Sequence, residues 1–180
     1  MLKPLVGLKQ DFRAAMNGIA SQRMREAGVS YHVIFGIELP RLREILAEYP
    51  QDRALAQQLW HEDVRESRLA AILLTPPAEF LPDVADIWAH ELKTVEEAGL
   101  LAMTLVRGQR WASDYAFRWI ASGEELPMLC GIYTLCHILR EPDVKLMPDS
   151  EDELRDHISA IPAKASLPLR KAAQNLLALL

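Results

Sequence analysis

"LWHEDVRESRLAAILL", residues 59–74, decides how the chain is read. It opens and closes apolar and carries five charged residues and a histidine in its middle. Crowded charges mark either a chemical site or a joint between two helices. Helical spacing on both sides favours the joint. Leu55 and Leu59, with Ala56 and Trp60, form one apolar stripe, and Leu69, Ile72 and Leu73 form the next. Between them "HED" turns the chain, and the acids stand near the positive start of the second helix. In this reading Glu62 and Glu66 pair with Arg65 and Arg68, and the charge run is solvated.

The same grammar recurs along the chain. Asp63 precedes Glu66 by three residues, as Thr94 does Glu97, Ser122 does Glu125 and Ser150 does Glu153. Each fits a capping box, in which the first side chain accepts from an orphan N–H and the acid reaches back. Thr75-Pro76, Pro40, Pro77, Pro127 and Pro168 stand where helices begin. The pattern predicts ten short helices, over 8–27, 40–49, 52–61, 64–74, 77–91, 95–107, 111–121, 124–140, 151–161 and 166–179. "VSYHVIFGI", residues 29–37, is the sole β-rich run. The boxes at Asp63, Thr94 and Ser122 recur at the interval of a compact two-helix repeat. The expected fold is all-α: about five antiparallel helix pairs stacked as a HEAT-like solenoid in one domain, 1–180. "AGLLAMTLV" and "LPMLCGIYTLCHIL" are apolar on all sides and read as inner helices.

Composition narrows the function. The chain has 180 residues, is 50% hydrophobic and carries a formal charge of −5. An acidic total counts against a dedicated nucleic-acid binder, though it permits a local basic groove. No apolar run reaches the ~20 residues of a bilayer span, and the start lacks a secretion pattern. Cys130 and Cys136 would face different sides of a helix, so no disulfide is expected, which suits a reducing cytoplasm. The five histidines show no metal spacing, and neither a phosphate loop nor a nucleophile elbow is present, so no metal or cofactor is expected. Trp60, Trp88 and the stripe Trp111, Tyr115, Trp119 read as core, with the stripe also able to wall a ligand site. Asp114 and Arg118 stand at i, i+4 and are expected to pair. "NLLALL" ends the chain with an apolar helix face that caps the stack or meets a second subunit.

"FGIELPRLREIL" (35–46), "LWHEDVRESRLAAILL" (59–74) and "FRWIASGEELPMLCGIYTL" (117–135), in that order, resemble the AlkD-type DNA alkylation repair proteins, HEAT-like repeat DNA glycosylases. The resemblance is clear over residues 30–140 and looser beyond. It implies a concave, basic groove holding duplex DNA, with aromatic side chains and a carboxylate stabilising positive charge as a cationic base departs. Position by position, the family's second tryptophan falls on Lys93, its aspartate on Glu97, its arginine on Leu129 and a late tryptophan near Asn175. The resemblance thus leaves Glu97 as the candidate catalytic acid, with Glu96 beside it in reserve. Glu97 is equally the fourth residue of the Thr94 box. Candidate DNA-binding cations are Lys93, Arg107, Arg110, Arg118, Arg140, Lys164, Arg170 and Lys171. The alternative is a non-catalytic scaffold for a protein or peptide partner.

Overall fold

A computed structural model describes residues 7–180. Every regular element among them is helical, and the β-rich run 29–37 is extended with a single bridge, Val33 to Val64. Contacts cluster into two compact units, Met1–Phe80 and Leu81–Leu180.

The first unit holds α1 (Leu8–Ala14), α2 (Gly18–Glu26), α3 (Leu39–Leu46), α4 (Arg53–Trp60) and α5 (Arg65–Leu74), then a 3-10 turn over Pro77–Glu79. The single helix expected over 8–27 is broken, because Asn17 takes an extended conformation and its side chain accepts from Ala20 N, starting a new helix. Helix α4 begins at the cap Asp52, which accepts from Leu55 N. Helices α4 and α5 pack as a hairpin, with Trp60 and Leu69 fully buried and Leu59 almost so.

The joint between them departs from the sequence reading. Val64, not Asp63, caps α5, and no side chain closes the cap. Asp63 turns away and accepts from His32 N, while Glu66 reaches the extended segment instead of its own helix end. Arg65, Glu66 and Arg68 are buried, at 2%, 0% and 4% exposure. The expectation of a solvated charge run is therefore overturned. Glu66 accepts from Phe35 N (2.9 Å), Gly36 N (3.0 Å) and Ile37 N (3.2 Å), and pairs with Arg65 at 2.8 Å. Arg65 also donates to Ile37 O, and Arg68 donates to Trp60 O with its guanidinium 3.8 Å from that indole's centre. Glu62 pairs with Lys9 rather than with either arginine. These charges enter the core because each finds partners there. Gly36, at φ +76°, is required where this segment meets α2: a Cβ would lie 2.2 Å from Asn17 O.

The second unit holds α6 (Pro82–His90), α7 (Val95–Leu101) with a π-helical continuation over Ala102–Val106, α8 (Ala112–Ala121), α9 (Glu125–Ile138), α10 (Pro148–Ser159) and α11 (Leu167–Leu177). Pro77 opens only the 3-10 turn, so the helix expected from 77 starts at Pro82. Helix α9 is the central rod: α6, α7, α8 and α11 all pack on it, and most of its side chains are buried, as its all-round apolar sequence predicts. Gly131 lets α8 approach closely, since a Cβ there would stand 2.6 Å from Ala116 O. The Thr94 cap is present, and Ser166 caps α11. The Ser122 and Ser150 boxes are not. Ser122 Oγ accepts from Glu124 N, and Ser150 lies inside α10, which proline starts at residue 148. Cys130 and Cys136 are buried free thiols.

Candidate functional site

The candidate residues all lie in the second unit, on its helix ends and turns. Thr94 Oγ1 accepts from Glu97 N at 3.2 Å, fixing the start of α7. Glu97 then folds back, and its Oε2 accepts from Lys93 N at 2.8 Å. This is a capping box reaching one residue further than usual. The Glu97 carboxylate is wholly buried, whereas Glu96 on the same turn is half-buried and the Lys93 side chain is exposed. Leu129, where the family pattern carries arginine, is a fully buried core residue of α9. Asn175 is exposed on α11.

The aromatic stripe grades from core to surface. Trp119 is fully buried, and its Nε1 donates to Asp86 Oδ1 at 2.8 Å. Tyr115 meets it edge-on at 6.0 Å and meets Trp111 at 5.2 Å; both are half-buried. Arg118 does not pair with Asp114 as expected. Its guanidinium lies 4.6 Å from the Tyr115 ring centre, where the π face attracts a cation.

All eight candidate cations have exposed side chains. Arg107 and Arg110 flank the Gly108-Gln109 turn, which Gln109 closes by donating to Leu105 O. Arg107 and Arg140 both act on His137: burial first, and then each arginine, hold its imidazole below the ordinary histidine range. Lys164, Arg170 and Lys171 stand around the start of α11, where Arg170 Nε donates to Ala165 O. Among the described residues no hydrogen bond or ring contact joins those three to Arg107 or Arg118. His137 was not singled out by its sequence context. An imidazole one turn before an arginine at the end of an apolar helix was the available signal.

Charge is unevenly shared along the chain. Residues 141–160 carry seven acids and two basic residues, a balance of −5, which equals that of the whole protein. The rest of the chain sums to zero: residues 1–80 balance, residues 81–140 carry eight acids and five basic residues, and residues 161–180 hold three cations and no acid. Among the described residues no group of His, Cys, Asp and Glu is placed to hold a metal ion, and no helix is long and apolar enough to cross a membrane.

The sequence matches the DNA alkylation repair enzyme family over residues 8–165. The chain belongs to this family. Its fold matches a solved structure of a protein described as one of "a new family of proteins related to the HEAT-like repeat DNA glycosylases with affinity for branched DNA structures". The TM-score is 0.83 over 98% of this chain and 75% of the other, at 19% identity. No curated protein matches the sequence. The fold is thus the all-α, HEAT-like one expected of DNA alkylation repair proteins.

Proposed function

We propose that this member of the family binds duplex DNA through the exposed cations of its second unit, without cleaving the glycosidic bond. The carrying observation is membership of a DNA repair family in a chain that leaves Arg107, Arg110, Arg118 and Arg140 exposed, on α8 and on the turns before α8 and after α9; the largest acid excess, −5, lies after them in sequence at 141–160. Family membership supports DNA as the polyanion, and the affinity of the structural relative for branched DNA makes junctions the first alternative substrate to compare. Against cleavage stands the burial of Glu97, whose carboxylate holds the start of α7. Lys93 next to it would repel a cationic base. Buried free thiols support a reducing compartment.

Four phosphate contacts give a log–log salt slope of about −3.6, so affinity falls roughly 150-fold between 50 and 200 mM salt. Anisotropy titrations of a labelled duplex and a four-way junction measure it. A salt-independent affinity, or none at 50 mM salt, refutes the reading. Release of 7-methylguanine or 3-methyladenine from alkylated duplex is expected from neither the wild type nor Glu97→Gln. Release by the wild type alone would return Glu97 to the chemistry.

A second reading, a scaffold for a protein or peptide, is favoured by the first unit. Met16 and Ile19 are 62% and 69% exposed beside the α2 groove. Salt-tolerant binding of a partner would select it.

A further inference from the structure

The second unit carries an open groove between the first half of α8 and the approach to α10, with a volume of about 490 Å³. Phe117, Leu146 and Met147 line it with apolar surface, and Asp114, Glu153 and Lys145 are its charges. Met147 is 72% exposed, the highest value for a large hydrophobic side chain among the described residues. Its place in the chain makes that exposure informative. It is the N-cap of α10, with extended backbone (φ −68°, ψ 148°). A Ser, Thr, Asp or Asn there would accept from an orphan N–H at the helix start. Methionine has no such oxygen, and no side chain closes the cap. Neither helix stability nor core packing therefore accounts for a methionine at this position. A flexible thioether side chain does suit a surface that receives a partner's apolar group.

Charge selects the partner. The groove borders the segment 141–160, whose balance is −5, and Asp114 adds an acid from α8. The positive helix starts account for Asp114, Asp149 and Glu151, each in a first turn. They do not account for Glu153, further along α10 and lining the groove. Glu153 has His157 Nε2 at 3.7 Å, and among the described residues no lysine or arginine pairs with it or with Asp114. Such a surface repels a polyanion and attracts cations.

We propose that this groove docks a basic peptide segment of a partner protein. One apolar side chain of the peptide seats against Phe117, Leu146 and Met147, and lysines or arginines on either side of it face Asp114 and Glu153. The site lies apart from the exposed arginines assigned to DNA and does not depend on that reading.

The test is selection of a displayed random-peptide library on the whole immobilised chain, followed by anisotropy with the labelled winning peptide. The winners are expected to carry lysines or arginines around an apolar residue. The double variant Asp114→Asn, Glu153→Gln should bind several-fold more weakly, as loss of exposed ion pairs predicts. Met147→Ser should lose on the order of tenfold in affinity, as removal of an apolar anchor does. The same variant should raise the urea midpoint, because serine supplies the missing cap. A more stable protein that has lost the peptide is a result that a merely structural methionine would not give. Excess unlabelled duplex should leave the peptide bound. Absence of any winner, winners without basic residues, full affinity in both groove variants, or displacement by the duplex would each overturn the proposal.

Discussion

Replacing Glu66 tests the buried charge cluster directly. Its Oε1 receives Gly36 N, Ile37 N and Arg65 Nη1, and its Oε2 receives Phe35 N. Glu66→Gln preserves the shape but offers only one acceptor oxygen. If that oxygen stays at the crowded side, the new NH2 faces the Phe35 N–H, and Arg65 loses its carboxylate. One stranded donor costs about 1–3 kcal/mol. Breaking a buried ion pair from one side costs roughly 3–5 kcal/mol in all. Against a typical total stability of about 5–15 kcal/mol, that is a large fraction. Glu66→Ala strands every donor and should be worse. The double change Arg65→Met with Glu66→Leu removes the buried charge but leaves the three N–H groups of 35–37 without their acceptor, so it should recover only part of the loss. Urea unfolding followed by tryptophan fluorescence gives all three values. A Glu66→Gln cost under about 1 kcal/mol would mean that water or a re-oriented loop replaces the carboxylate, and the clamp argument would fail.

Gly131→Ala forces a methyl against Ala116 O at 2.6 Å; overpacking of this kind costs about 1–3 kcal/mol, visible as a lower urea midpoint with unchanged slope. Trp119→Phe keeps most of the buried ring surface but leaves Asp86 without its indole donor, and thermal unfolding should show a loss of about 1–3 kcal/mol. Burial pushes the Cys130 thiol up to about 12 from 9.0. It should therefore resist a thiol reagent at pH 8 in the native protein and react on unfolding. The unfolded chain releases that proton first, so this thiol lowers stability as pH rises above about 9; rapid native-state labelling of Cys130 would contradict its burial.

The elements that could be read in advance were those set by nearby residues. Thr94 caps α7 with an oxygen three residues from its donor, and the apolar sequence of α9 predicts a rod covered on all sides. Where a distant partner decides, local pattern fails. Asp63 and Glu66 have the spacing of a capping box, yet their true donors, the amides of His32 and Phe35 to Ile37, lie about thirty residues upstream. No short window reveals that. The rule that crowded charges face water failed for the same reason, because Arg65, Glu66 and Arg68 satisfy one another and the backbone inside the core. In the site, Glu97 was marked by its place in a family pattern and Arg107 and Arg140 by charge.

Helix α2 buries none of its residues. It is tethered by Asn17 N to Phe35 O, by Ser21 Oγ to Ile34 O and by Arg25 to Tyr31 O and His32 O, all in the strip that Glu66 grips from the other side. A nine-residue helix with no fully buried side chain has little independent reason to persist in water. Its amides should exchange with deuterium at the pace of that strip, quickening together when the grip is cut.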